Sequence, residues 1–303
     1  MRVSTSCFHT AERLRRRLSL WSTVRFSLAA SPTFRGPRSS LAERRGTRER
    51  FFAAVQQAFF GPMRVSVMMD SNGSNTTAAA AVLRARRHVP LAGSVAVVLG
   101  ATGPVGQRAA ELLALEGAHV RVGSRSVERA AETCEVIAGR VDGDLSPVAT
   151  ADPGGVSTAL EGASTVIAAG ATGVQLISAE MLKAATDLEV AIDLNAVPPL
   201  GIEGVEMTDK AVETDGVVRY GAIGVGGTKM KIHTAALKRL FDANDGVLDT
   251  EAIYRIGESL EGPERSGGSQ RRGRRIHLAA NGCFHYIRGP LESLLPSPSD
   301  FLP

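Results

Sequence analysis

Three glycines spaced three apart, Gly100, Gly103 and Gly106, follow the apolar run Val95–Leu99 and lead into Gln107–Gly117. The pattern G-x-x-G-x-x-G, with Thr102, Pro104 and Val105 filling it, suits phosphate chemistry. Without Cβ atoms, backbone N–H groups can approach a pyrophosphate. The start of the helix that follows adds unpaired donors and partial positive charge. A site for NAD usually places an acidic residue about 20 positions past such a loop, to hold the ribose 2′-hydroxyl. No acid stands there; the next apolar run, His119–Gly123, ends in Ser124-Arg125-Ser126. A guanidinium between two hydroxyls suits a 2′-phosphate, so the expected cofactor is NADP, with NAD as the second choice.

Two other stretches carry polar groups at useful spacings. Asp70-Ser71-Asn72-Gly73-Ser74-Asn75-Thr76-Thr77 lies between an apolar run and the helical Ala78–Leu83. Ser74, Asn75 or Thr76 can cap that helix, and a polar loop ahead of a helix also suits substrate oxygens. Asp70, Asn72, Asn75 and Thr76 are therefore candidate substrate contacts. Near the other end of the chain, Gly221–Gly227 reads as a glycine-dense turn entering a helix that reaches about Asp242. Lys229 and His233 are four apart and share one face near the start of that helix, whereas Lys231 points elsewhere. A cation there opposes the helix dipole, so Lys229 is a candidate catalytic group and His233 a further substrate contact.

The elements that must position these groups alternate. Helical 51–60, ended by Gly61-Pro62, is followed by strand-like Met63–Met69. After the first strand–loop–helix–strand unit come helical Ser126–Arg140, strand Leu145–Thr150, a short helix at Gly155–Glu161, and strand Ser164–Ala169. A helix at Ser178–Thr186 and a strand at Val190–Leu194 complete the series, before a strand at Val217–Tyr220. This predicts an α/β protein, a Rossmann-type doubly wound parallel sheet. Ligands of such sheets sit at the carboxyl ends of the strands. That makes Ala169 and Gly170, with the loop to Gly173, and Asn195, with the loop to Gly201, candidates for the ribose and nicotinamide side of the cleft.

The 303 residues allow two modest domains, and 44% hydrophobic content is ordinary for a packed core. Charge is uneven: residues 1–50 hold twelve Arg and three Glu within a chain of net charge +4, and all five lysines lie between Lys183 and Lys238. The first 50 residues admit three readings: a transit peptide, a basic arm for nucleic acid, or a segment outside any folded domain. The expectation is that they lie outside any folded domain, and the Arg-, Pro- and Ser-rich stretch 261–303 is expected to lack order in the same way. Cys7, Cys134 and Cys283 are scattered and suggest neither a disulfide framework nor a metal site. No apolar run approaches a membrane span. A cytoplasmic protein without membrane or nucleic-acid partners, and a homo-oligomer, is expected.

These stretches together resemble the NAD(P)-dependent methylenetetrahydromethanopterin dehydrogenases of one-carbon metabolism. The resemblance covers about residues 51–260 and rests on Phe59–Pro62, Asp70–Ala80, Gly100–Gly106, Asn195–Gly201 and Gly224–His233. The match at 70–80 is the most specific of these. The resemblance implies an NADP-binding Rossmann domain at 89–227, inserted between a partial α/β substrate domain at 51–88 and returning helices at 228–260. It also implies hydride transfer from methylene-tetrahydromethanopterin, or methylene-tetrahydrofolate, to the nicotinamide, with Lys229 at the position of the family's active-site lysine. Residues 1–50 do not resemble the family's N-terminal region, so part of the pterin site is expected to be missing and turnover by this chain to be poor. Two carbon-bound nitrogens of the substrate stabilise the cation that hydride loss leaves, so no general base is needed.

Three rival classes make different demands on the sequence. A short-chain alcohol dehydrogenase requires Tyr-x-x-x-Lys, and none of Tyr220, Tyr254 and Tyr286 has Lys four residues later. A non-catalytic NADP-sensing protein, or a truncated inactive homologue, would keep the glycine loop without needing Asp70–Thr77 or Lys229. A nucleic-acid binder would act through the basic arm, with steep salt dependence.

Overall fold

The computed structural model describes residues 50–261 apart from Pro62. The basic arm and the 262–303 tail lie outside the described residues. After a helical stretch at 50–57 come β1 (Val67–Met68), a 3-10 turn (Ser71–Gly73), α1 (Ser74–Arg86), β2 (Val95–Leu99), α2 (Pro104–Leu115) and β3 (His119–Ser124). These are followed by α3 (Val127–Ala138), β4 (Leu145–Ala149), α4 (Pro153–Leu160), β5 (Thr165–Ala168), α5 (Ala179–Ala184) and β6 (Val190–Asp193). The order ends with β7 (Lys210–Thr214), β8 (Val217–Tyr220), α6 (Ala222–Arg239), β9 (Val247–Leu248) and α7 (Thr250–Glu261).

The main sheet runs β4-β3-β2-β5-β6-β8-β7. All its pairs are parallel except β7 with β8. Leaving out the antiparallel edge β7, the order from β4 to β8 is the doubly wound 3-2-1-4-5-6 arrangement, and it reverses between β2 and β5. The strands β2, β5 and β6 are almost wholly buried. This is why they read as continuous apolar runs rather than alternating ones.

Apolar packing lies on both faces of the sheet. One cluster joins α1, α2, α6 and α7 to the sheet, and the other contains Val97, Leu99, Val166, Leu182 and Ile202. Helix α1 touches α2, α6 and α7. Its Ala78, Ala79, Ala80 and Ala81 are all 0% exposed, because larger side chains would push those neighbours away. Gly257 serves the same packing from α7, where a Cβ would come within 2.5 Å of Leu83 Cδ1.

Three expectations need correction, and one strand, β7, is not among the expected elements. The strand expected at Met63–Met69 is reduced to β1, which pairs in parallel with β9 in a separate two-stranded sheet. The edge strand β7 has no apolar pattern to reveal it, since most of its residues are exposed. Helix α1 begins at Ser74 rather than beyond Thr77. Helix α6 begins at Ala222, so Gly224, Gly226 and Gly227 are helical rather than part of a turn. Of these only Gly224 is needed for close packing: a Cβ there would lie 1.7 Å from the Asp209 carbonyl oxygen, whereas Gly226 and Gly227 have open space beside them. Lys229 therefore stands well inside α6 and not at its start.

His88, just after α1, meets the Tyr220 hydroxyl at 2.8 Å. Burial, reinforced by Arg87 and Arg84, holds its pKa below the ordinary 6.5. The folded state thus binds fewer protons here than the unfolded chain, so His88 contributes stability that is present above pH 6.5 and lost as pH falls through the lowered value. His88→Gln is expected to flatten the acid side of the stability curve, measured by urea denaturation between pH 7.5 and 5. An unchanged slope would remove His88 from that role.

Among the described residues no helix is long and apolar enough to cross a membrane, and no group of three or more His, Cys, Asp or Glu could hold a metal ion.

Candidate functional site

The carboxyl ends of the parallel strands β2, β3, β5, β6 and β8 all face one edge, and Gly100, Arg125, Ala169, Gly170 and Asn195 follow closely on those ends. Gly100 leaves β2 at φ +69°. A Cβ there would lie 2.7 Å from Gly170 Cα and 2.8 Å from the Ala169 carbonyl oxygen. Gly106 is equally constrained, with a Cβ falling 2.6 Å from the Gly100 oxygen. These two glycines let the turn, the helix and the β5 loop come together. Gly103 differs: its φ is −80° and its nearest Cβ neighbour would be 3.4 Å away, an ordinary contact. It precedes α2, with Pro104 at the first helical position, and no side chain caps that end. By contrast, Ser126, Asp152 and Ser178 cap α3, α4 and α5. The uncapped N–H groups and space beside Gly103 fit a dinucleotide pyrophosphate.

At the end of β3, Ser124 is buried and Arg125 is exposed. Arg125 makes no hydrogen bond or ion pair with the described residues. The Ser126 hydroxyl is already engaged: it accepts from the Arg129 N–H at 3.4 Å and donates to Glu128 Oε2 at 2.5 Å. That bond holds the Glu128 carboxyl below its usual range. Of the Ser-Arg-Ser triplet, Arg125 is thus the group left open for an anion. Sequence reasoning passed over Arg129, a second cation in the first turn of α3, where it opposes the helix dipole.

Asn195 is 8% exposed. Its amide accepts from the Val197 N–H at 3.1 Å and donates to the Pro199 carbonyl at 3.2 Å, inside its own loop. The Pro198–Pro199 bond in that loop is cis.

The second cluster joins residues more than 150 positions apart. Asp70 is not a loose loop acid. Its Oδ1 accepts from the Asn75 and Thr76 N–H groups at 2.9 and 3.0 Å, and its Oδ2 accepts from the Thr76 hydroxyl at 2.8 Å. It therefore caps α1, in place of the residues expected to do so. His233 Nδ1 meets Asp70 Oδ2 at 3.2 Å; with Nδ1 donating, Nε2 is the ring nitrogen left without a partner among the described residues. Asn75 is 0% exposed. Its amide donates to the Met69 carbonyl and accepts from the Thr250 hydroxyl, a structural use of a residue expected to touch substrate. Asn72 stands exposed at φ 55°.

Lys229 lies over this loop. A Cβ on Gly73, at φ +68°, would fall 2.9 Å from both Lys229 Cε and Nζ. The alignment of α6 on α1 is set one residue earlier. There the Thr228 hydroxyl accepts from Arg84, whose guanidinium also pairs with Glu261 of α7 at 3.1 Å. The Lys229 ammonium has no hydrogen bond or ion pair with the described residues. The structure thus brings Asp70, Gly73, Thr76, Lys229 and His233 together, with a cation unspent beside the Asp70–His233 pair.

A doubly wound sheet with an uncapped glycine turn at its switch point is the architecture of a Rossmann-type dinucleotide-binding protein. No protein-family model matches the chain. It is 42% identical over 214 residues to the bifunctional protein MdtA of Methylorubrum extorquens, covering 70% of this chain and 74% of that protein. It is 33% identical over 218 residues to the NAD(P)-dependent methylenetetrahydromethanopterin dehydrogenase of the same organism, covering 69% and 73%. The chain belongs to the methylenetetrahydromethanopterin dehydrogenase family and is an oxidoreductase that uses a nicotinamide cofactor. A shorter likeness, 42% over 107 residues, links 35% of the chain to 36% of the shikimate dehydrogenase (NADP(+)) of Halorubrum lacusprofundi.

Proposed function

We propose that this protein moves a hydride from the methylene carbon of methylene-tetrahydromethanopterin to the nicotinamide of NADP. The observation that carries the reading is the convergence of the Asp70–Thr76 loop with Lys229 and His233, a polar site in which, among the described residues, the Lys229 cation stands unpaired beside the Asp70–His233 pair. The cofactor supplies the hydride acceptor. The protein's part is to bind, orient and exclude water. Gly103 and the start of α2 hold the pyrophosphate, and Arg125 holds the 2′-phosphate. Lys229 and Nε2 of His233 hold polar atoms of the pterin. The name of the Methylorubrum NAD(P)-dependent methylenetetrahydromethanopterin dehydrogenase supports the pterin, and that of the Halorubrum relative supports NADP. Stopped-flow absorbance of NADPH formation tests the reaction, with methylene-tetrahydrofolate as the competing carrier. Faster turnover with folate would reassign the carrier, and none with either would remove the reading.

Arg125 sets the cofactor preference. A charge-assisted bond of this kind is worth roughly 1.5–3 kcal/mol. Arg125→Ala should therefore weaken NADP about tenfold or more and leave NAD nearly unchanged in fluorescence titrations. Equal losses for both cofactors would clear Arg125 of the role.

A further inference from the structure

Asp193 ends β6 at the ligand edge of the sheet and is 1% exposed. Its carboxylate accepts from the backbone N–H groups of Asn195 and Ile202, both at 2.9 Å, and from that of Gly201. It has no cation beside it among the described residues. Burial raises its pKa against the pull of these three amides. A buried charge balanced only by neutral amides is an expensive choice of side chain. An asparagine of the same shape would turn an N–H toward one of those donors; only a carboxylate accepts on both oxygens.

The bonds do more than close one loop. They grip both ends of 195–201. Gly201, held at its N–H, offers its carbonyl to the N–H groups of Leu176 and Ile177 at 2.8 and 3.1 Å. Leu176 in turn packs where a Cβ on Gly170 would stand, 2.7 Å from its Cδ1. One carboxylate thus ties together the loops after β5 and β6. The outward side of the second loop is apolar: Val197 is 47% exposed, and Pro198 and Pro199 are exposed beside it. With Arg125 at the end of β3 on the adenosine side of the switch point, the β5–β6 half is where the nicotinamide half of a dinucleotide falls.

We infer that Asp193 is a positioning residue, holding the apolar Val197–Pro199 wall against which the nicotinamide ring is set. The inference rests on the cofactor reading above and deepens it. Its test compares two ligands with the full chain: NADP, and adenosine 2′,5′-bisphosphate, which lacks the nicotinamide half. Asp193→Asn should leave the bisphosphate affinity within about twofold, weaken NADP about tenfold, and slow single-turnover hydride transfer about thirtyfold. Amide exchange at Leu176, Ile177, Asn195, Gly201 and Ile202 should accelerate together. Gly201→Ala guards against a variant that fails to fold. Its Cβ would come within 2.8 Å of Asp193 Oδ1 and 3.3 Å of Ala168 Cβ, displacing the loop with the carboxylate in place, and the same split between ligands is expected. Equal losses for both ligands would make Asp193 merely structural, and unchanged affinities with unchanged exchange would overturn the inference. The affinity ratio needs no pterin. A chain that binds NADP but transfers no hydride would therefore sink the proposed reaction and leave this inference standing.

Discussion

Lys229→Ala lowers the rate of hydride transfer about a hundredfold, roughly 2.7 kcal/mol of barrier, while NADP affinity and thermal stability stay close to wild type. The asymmetry follows from where the ammonium lies. It has no ion pair with the described residues, so removing it breaks no structural bond, and such substitutions usually stay within about 0.5 kcal/mol. It lies where a side chain on Gly73 would stand, 2.9 Å from the place of a Cβ there, in the loop that Asp70 anchors to α1 and His233. An ammonium held over that loop is placed to orient a polar ring, and orientation is the larger part of what this reaction asks of a protein. Gly73→Ala offers a second route to the same loss. At φ +68° the new methyl would strain the backbone and meet Lys229 Cε and Nζ at 2.9 Å, displacing the lysine without deleting it. Stopped-flow rates and NADP titrations on both variants decide the matter. An undisturbed rate in Lys229→Ala would return that residue to the solvated surface.

Gly103→Val abolishes dinucleotide binding and leaves the fold intact. The expected loss of NADP affinity is at least about a hundredfold, roughly 2.7 kcal/mol, with the circular dichroism spectrum unchanged. The backbone at Gly103 is extended, with φ −80° and ψ 167°, so valine needs no rare conformation there. Its Cβ would meet the Gly100 and Ala169 carbonyl oxygens at 3.4 and 3.8 Å, both ordinary contacts. The cost falls instead on the ligand, because the branched side chain covers the uncapped N–H groups at the start of α2. Gly106→Ala is the contrasting case. Its methyl would press on the Gly100 oxygen at 2.6 Å, so it should lower the thermal midpoint before binding is even asked about. Retained NADP affinity in a folded Gly103→Val protein would sink the pyrophosphate assignment.

Several features were legible in the amino-acid order because they are local. The β2–Gly100–α2 unit declares itself through a buried apolar run, three glycines and a helix within a short span. The Ser124-Arg125-Ser126 triplet, with no acid at the ribose position, can be read directly. Parallel strands buried on both faces announce their order of appearance through apolar runs. What could not be read depends on partners far along the chain. Asp70 reads as a loop acid until His233, 163 positions later, and the amides of Asn75 and Thr76 are seen to converge on it. Asn75 reads as a substrate contact until Thr250 takes its carbonyl. The glycines of Gly221–Gly227 lower helix propensity, so the order alone places a turn there. At Gly224 the helix packs against the backbone at Asp209, an approach that only glycine allows. The pairing of β1 with β9, two residues on each side, carries no periodic signal at all. Local propensity and residue spacing determined the β2–Gly100–α2 unit and the Ser124-Arg125-Ser126 triplet at the end of β3. Close backbone contacts and hydrogen bonds between distant segments, which no window of sequence contains, decided the geometry around Lys229 and the role of Asp193.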